Sequence, residues 1–460
     1  MINKLKNLSA ISLARMIREG ELSAKEVTLA FTKRVAEDRY GTYITTMVKE
    51  AIAAADNVDK LISEGVHLPL AGVPVSIKDN ICTEGVRTTC ASRFLRDFVP
   101  SYSATAYLKL LSAGAIPVGK TNMDEFAVGG EGDTSYFGKS LNPLCEKKST
   151  GGSSSGSATS LASGSALLSL GSDTGGSARL PAAFCGVYGM KPTYGSVSRF
   201  GLVGMAPAVE QICPMSTTLE DNELLFNVIS GSDTRDMTSN DTEFRPFCGE
   251  RNLNFGVFLP DGCDSDVSST MKLASDKLLR NGYGVESVDL PETDTAVRVY
   301  YTLSSAETYS NLARFDGLRY GRTSDSGRTI DSRTEGFGRT LRERIAEGVY
   351  ALERNDGEAY KRALELRYRI RMGVKVLFEK FDVILTPMCH SATPDTGNVG
   401  YSGDLFAVYA NLSGCPALVI PFGRDRNGLP VGVQLMASHG GERLLYSAAR
   451  LIEEANDSDV

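Results

Sequence analysis

Beginning near residue 70, the chain repeatedly switches period. Short β-like runs, AGVPVSIKDN (71–80), GAIPVGKTN (114–122), LNFGVF (253–258), YGVESVDL (283–290), FDVILTP (381–387) and CPALVIPFG (415–423), are set off by glycines and by helical segments over 104–112, 157–162, 271–280 and 358–378. Alternation of this kind predicts an α/β fold in which helices sandwich a mostly buried sheet. Upstream, Leu8, Ile11, Leu13 and Ile17, then Val27, Phe31 and Val35, recur at helical spacing. Gly20 can end the first helix, and Ser23 with Glu26 can form a capping box for the second. Residues 1–60 therefore read as a helical hairpin packed as one unit with an α/β domain over 61–460.

Several function classes are excluded at once. With 49 Lys and Arg against 56 Asp and Glu, the net charge is −7, which disfavours autonomous nucleic-acid binding. Nine cysteines form no CxxC pair and no Cys/His group at zinc spacing, so no metal is expected, and a reducing, cytosol-like compartment fits. Arg15 and Arg18 interrupt the apolar residues of the N-terminus, and no apolar run approaches the roughly 20 residues that span a bilayer. A soluble protein without a membrane role is expected. Residues 314–344 hold eight arginines and five acids with few apolar residues, which reads as a solvated insertion. GAIPVGKT (114–121) satisfies GxxxxGK[ST], but its context is wrong for a phosphate loop: YLKLLSAG reads as a helix ending at Gly114, Ile116–Val118 as a strand, and Pro117 removes a backbone donor.

The chain has only three histidines, His67, His390 and His439, and none has an obvious serine partner, which disfavours a Ser-His-Asp mechanism. Another arrangement carries the same chemistry. Val73, Val75 and Ile77 alternate like a strand that ends on Lys78, so its amine can be held over a sheet edge away from bulk water. STGGSSSGSATSLASG then supplies Ser153, Ser154 and Ser155, and after a short helix and an apolar strand GSDTGGSARLPAAFCG supplies Ser177. The 149–177 stretch also carries Leu161, Leu167, Leu168 and Leu170, which a solvated linker would not need. Gly175 and Gly176 leave bare backbone whose N–H groups can converge on one oxygen. A desolvated, neutral lysine can take a serine proton, and a second serine can relay it, because a hydroxyl both donates and accepts.

These segments resemble the amidase signature family. Its motif joins a Gly/Ser-rich GGSS stretch, a 24-residue step to the serine of DTGGS (here Ser153 to Ser177), and a tail that reads PAAFCGVYGMKPT in this chain. The resemblance implies a large mixed central β-sheet sandwiched between α-helices and a Ser-cisSer-Lys triad. Ser177 would be the nucleophile, Ser153 the bridging serine on a cis peptide bond, and Lys78 the base. The amides of Thr174, Gly175, Gly176 and Ser177 would form the oxyanion hole, braced by Ser154, Asp173 and Arg179.

Further segments, among them TNMDEFAVGG, SYFGKSLNP, YGSVSRFGLVG, EGFGRTLRERI and NLSGCPALVIPFG, resemble the glutaminase A-subunit family of tRNA-dependent glutamyl/aspartyl amidotransferases over most of residues 70–430. That resemblance implies hydrolysis of glutamine to glutamate and ammonia. The ammonia would amidate Glu-tRNA(Gln) or Asp-tRNA(Asn) on a partner B subunit, in a heterotrimer with a small C subunit. The partner would hold ATP and magnesium and most of the tRNA contact; no cofactor is expected in this chain. The setting would be cytoplasmic, or organellar in a eukaryote. Arg344 would clamp the glutamine carboxylate, Asp404 would hold its ammonium, and Tyr300 or Tyr301 would line the pocket. The chain departs from the family at Ser155, Leu180, Glu210 and Cys213, which bears on pocket shape more than on the triad. A stand-alone amidase of broad range is the alternative, and a non-catalytic scaffold is a weaker one.

Overall fold

The β-like runs form strands β1 (Tyr43–Thr46), β2 (Pro74–Lys78), β3 (Ile116–Thr121), β4 (Leu168–Asp173), β5 (Tyr188–Lys191), β6 (Gln211–Ser216), β7 (Asn254–Val257), β8 (Gly284–Ser287), β9 (Val383–Pro387), β10 (Ala417–Arg424) and β11 (Pro430–Ala437). The structure is a computed structural model and describes residues 5–241, 253–399 and 403–454. All eleven strands belong to one sheet, ordered β1-β3-β2-β4-β6-β5-β10-β11-β9-β7-β8. It is mixed: β2 runs parallel to both β3 and β4, and β7 parallel to β8 and β9, whereas the β4-β6-β5-β10-β11-β9 stretch is antiparallel. Sequence reading anticipated seven of these strands; β1, β5 and β6 lie in segments where no apolar run stands out between turn residues, and β11 escapes it despite the apolar run PVGVQLMA.

The period of two sorts each strand's side chains onto two faces. Val75, Ile77, Leu168, Leu170, Ile212, Leu385, Leu418 and Leu435 point into one continuous core, which also takes Leu13, Ile17, Val27 and Phe31 from the N-terminal helices Ala10–Arg18 and Ala24–Ala36. The predicted capping box of Ser23 and Glu26 is formed. On the opposite face Ile384, Ala417 and Met436 pack under the helices Thr293–Leu312, Glu358–Lys380 and Asp404–Ser413. Among the described residues, no helix is long and apolar enough to cross a membrane.

That second face turns polar toward β2 and β4. Ser76 and Ser169 share a 2.7 Å hydrogen bond, Ser76 meets Ser160 at 2.7 Å, and Ser157 reaches the Leu170 carbonyl at 3.2 Å. The serine-rich helix Ser155–Ala162 is thus buried, as the leucines around it required, and its hydroxyls are satisfied internally. A side chain at Gly156 would come within 2.6 Å of the Asn122 amide, so small residues here let the helix lie close on the sheet. Ser155, a departure from the family pattern, is the first helical residue and needs no left-handed backbone.

Two readings from sequence are settled here. Residues 116–121 are strand β3, and Lys120 is fully buried, donating to the Ile81 carbonyl at 2.6 Å and Thr88 Oγ1 at 2.7 Å with Asp79 at 3.7 Å. The GAIPVGKT segment is therefore not a phosphate loop. Residues 314–344 are not simply a solvated insertion: Phe315, Phe337 and Leu341 are buried and join Phe94 and Phe126 in an aromatic cluster. Most of the arginines stay outside, with Arg333 and Arg344 partly buried, and they hide from a composition count how well the few apolar residues are used. Because Asp79 is as deeply buried as Lys120, Lys120→Ala leaves a carboxylate without its cation and is expected to cost about 3–5 kcal/mol of stability in denaturant unfolding.

Candidate active site

Lys78 is the last residue of β2 and Asp173 the last of β4. Because the two strands are parallel neighbours, both chains leave the sheet at the same edge, the place where α/β sheets commonly expose ligand sites. After β4 the backbone makes the turn Thr174–Ser177 and enters the helix Arg179–Cys185. Residues 152–154 lie against this turn. Ser154 N–H donates to the Ser177 carbonyl at 2.9 Å, and Ser154 Oγ donates to the Ser172 carbonyl at 3.0 Å. The Gly152–Ser153 peptide bond is cis.

Lys78 is fully buried, and its Nζ sits 2.8 Å from Ser153 Oγ, 2.8 Å from Ser154 Oγ and 3.2 Å from the Ser172 carbonyl. Its acceptors are neutral, and among the described residues no carboxylate lies within ion-pair distance of it. Burial therefore dominates and lowers its pKa to about 7, against a weaker opposing pull from Asp124. Ser177, 8% exposed, borders a cleft of about 440 Å³.

Asp173 and Arg179 form a fully buried bidentate pair, Oδ1–Nη2 at 2.9 Å and Oδ2–Nε at 3.0 Å. Burial opposes ionisation of Asp173, but the Arg179 charge and its hydrogen bonds, with those from Gly176 and Asn411, outweigh it and hold the carboxyl well below its usual range. Arg179 also donates to the Ala407 carbonyl at 3.1 Å and Asn411 Oδ1 at 2.6 Å, and it is bonded to Gln434 Oε1. Gly176 N–H donates to Asp173 Oδ1 at 2.9 Å. That contact departs from the expectation that this amide faces the cleft: the carboxylate stiffening the turn has taken it. The turn demands its glycines. Gly176 has φ +112°, and a side chain at Gly175 would strike the Tyr300 ring at 2.4 Å.

The residues expected from sequence to hold substrate meet in the same cleft. Gly175, Gly176, Ser177, Tyr300, Tyr301, Arg344 and Asp404 all line it. The choice left open between the two tyrosines resolves into two positions. Tyr300 packs on Gly175 beside the Ser177 turn, whereas Tyr301 donates its hydroxyl to Asp404 Oδ2 and carries the Arg344 guanidinium 4.2 Å above its ring. Burial raises Asp404 to about 6, against the Tyr301 hydrogen bond and the Arg344 charge. Arg344 also meets Glu347 at 3.3 Å. Leu180, a departure from the family pattern, lines the cleft, while Glu210 is buried outside its lining and accepts from the Met205 and Ala206 amides at 2.9 and 3.2 Å.

Sequence reading missed three supports. Asp124, fully buried, gathers the Gly132, Asp133 and Thr134 amides at 3.1–3.2 Å and shapes the cleft wall, and its own N–H donates to the Ser153 carbonyl at 3.2 Å. Asn411 and Gln434 complete the Arg179 shell. Gln434 had a visible signal, a polar residue in the apolar run PVGVQLMA; Asn411 had none beyond its spacing to Asp404. His439 bonds the Ser413 carbonyl and His390 packs on Phe406, so neither joins this site. Among the described residues, no group of His, Cys, Asp and Glu is arranged to hold a metal.

Comparison with known proteins identifies the family. The Amidase family profile matches residues 26–446. The A subunit of glutamyl-tRNA(Gln) amidotransferase from Synechococcus sp. (strain WH7803) is 40% identical over 467 residues, covering 96% of each chain. The protein of the same name from Desulforamulus reducens is 41% identical over 470 residues, covering 97% of each. The crystal structure of the corresponding glutamyl-tRNA(Gln) amidotransferase A subunit from Thermotoga maritima superposes with a TM-score of 0.79 at 31% identity, covering 98% of this chain and 95% of that one. A buried lysine joined to a cis-serine beside a DTGGS turn, on a sheet of this topology and with similarity running nearly end to end, makes this chain a member of the amidase signature family.

Proposed function

We propose that this chain is the glutaminase subunit of a tRNA-dependent amidotransferase, hydrolysing glutamine to glutamate and ammonia. The observation that carries the reading is that one cleft joins the Ser177 turn to an arginine and an aspartate separated by a tyrosine. Free glutamine has a carboxylate and an ammonium on its α-carbon and an amide at the other end. Arg344 suits the first group, Asp404 the second, and Ser177 the third. The names of the relatives point the same way.

In this reading neutral Lys78 accepts a proton from Ser153, which accepts one from Ser177. Ser177 Oγ then bonds to the δ-carbonyl carbon, and the charge on the carbonyl oxygen falls to the amides of Thr174, Gly175 and Ser177. Returning the proton to the amide nitrogen breaks the C–N bond and frees ammonia. Water attacks the acyl-serine by the same relay, releasing glutamate and restoring the hydroxyl. Asp173, Arg179 and Ser154 hold the turn and the relay in register. The ammonia would be used on a tRNA-binding B subunit, with a small C subunit completing the assembly and the partner supplying ATP and magnesium.

Three outcomes are expected. Ser177→Ala should abolish glutamine-dependent amidation in the assembled complex while amidation from free ammonia persists; loss of both in a well-folded complex would contradict the division of labour. Arg344→Ala removes a charged contact worth about 1.5–3 kcal/mol, so KM for glutamine should rise about 10- to 150-fold with kcat changed far less. Because burial lowers Lys78 to about 7, the neutral base accumulates as pH rises. The kcat/KM profile for glutamine should therefore climb through a midpoint near pH 7 and flatten above it; a midpoint near 10, where an exposed lysine titrates, would refute the role of Lys78.

A further inference from the structure

The arginine proposed to clamp the glutamine carboxylate lies in the second turn of the helix Arg339–Glu353, whose first turn also lends Thr340 to the cleft wall. An Arg side chain reaches far, so where its guanidinium sits depends on where that helix begins. The helix starts at Gly338 without a side-chain cap of its own, leaving its first N–H groups to find partners elsewhere. One partner comes from the start of the segment whose residues 127–131, 133 and 134 also line the cleft. Glu125, 3% exposed, accepts the Gly338 N–H on Oε2 at 2.8 Å, and its Oε1 accepts the Ser92 hydroxyl at 2.5 Å. Ser92 Oγ in turn accepts the Phe94 N–H at 3.1 Å and faces the Gly336 carbonyl at 3.5 Å. Glu125 is fixed from behind, its own N–H donating to Thr134 Oγ1 at 2.9 Å within the loop that Asp124 organises.

We infer that Glu125 is a positioning residue for glutamine recognition, tying the start of the Arg344 helix to the cleft loop and thereby setting the position of the guanidinium. The fit is tight, because a side chain at Gly338 would stand 2.6 Å from Glu125 Oε2. A carboxylate at this end of a helix also meets the positive end of its dipole. Neighbouring rings hold the segment nearby, with Phe337 tilted 35° against Phe94 at 4.7 Å, and the Glu125 bond adds a directional contact that ring packing does not supply.

The inference rests on the proposed role of Arg344, and the experiment separates the two. The full chain, purified with its partner subunits, would be assayed on glutamine and on butyramide, which is glutamine without its two α-carbon charges. Glu125→Ala should raise KM for glutamine about tenfold or more, with kcat and the butyramide rate within about threefold of wild type. Glu125→Gln, able to accept from Gly338 and donate to Ser92, should restore glutamine KM to within about threefold. Gly338→Ala, which crowds the carboxylate without removing it, should reproduce the KM effect and keeps the test decisive if Glu125→Ala does not fold. Equal losses on both substrates, or failure of Glu125→Gln to restore KM, would overturn the inference. An unchanged glutamine KM in Arg344→Ala would overturn the reading of Arg344 beneath it.

Discussion

Taking one ammonium out of water without giving it a carboxylate organises the whole site. Lys78, Lys120 and Lys191 are all buried, and burial lowers the pKa of each. Their surroundings differ. Lys120 has Asp79 at 3.7 Å, which favours its charged form, and Lys191 is bonded to the Pro192 carbonyl at 2.6 Å. Lys78 alone of the three ends among two hydroxyls, both on the cis-serine segment packed against the Ser177 turn. An ion pair there would hold the proton on the amine. Neutral acceptors leave the amine near the middle of its titration at neutral pH, the condition under which a base can both take and return a proton.

The opposite electrostatic choice operates at the end of the neighbouring strand. Asp173 and Arg179 are equally buried but fully paired, and every strong donor around the carboxylate has a defined acceptor geometry. Such a pair gives little net stability, since desolvation consumes much of its attraction. What it gives is direction: the Arg179 fork ties the turn after β4 to the helix Asp404–Ser413 and to β11 through Ala407, Asn411 and Gln434. The turn holding Ser177 is thereby referenced to the same helix that begins with Asp404. In the proposed mechanism this shared reference fixes the distance between the reacting end of glutamine and its ammonium.

The parts of the site legible in sequence were those whose logic is local. Val75 and Ile77 alternating around Ser76 mark β2 and place Lys78 at its end; Gly175 and Gly176 before Ser177 mark a turn with bare backbone. Contacts between remote segments were not legible. Arg179 meets Asn411 across 232 residues and Gln434 across 255, and no spacing rule links such positions. The misreading of 314–344 has a related cause. Composition averages over a segment, whereas burial selects single residues: Phe315, Phe337 and Leu341 suffice to bury one side of a segment most of whose arginines remain exposed.

In the proposed function, substrate choice turns on keeping Arg344 and Asp404 from satisfying each other. Tyr301 does this by serving both, its ring beneath the guanidinium and its hydroxyl on the carboxylate. Had the two charges met directly, a zwitterion would have to break an ion pair before binding, and the cost would cancel much of what its own two charges bring. With the tyrosine interposed, each group keeps part of its hydrogen-bonding capacity, and burial of Asp404 sharpens its preference for a cation. A neutral amide brings no counter-charge to either group. The same fold, with the same lysine and serines, can therefore serve general amide hydrolysis or a reaction confined to an α-amino acid, according to how these three side chains are held.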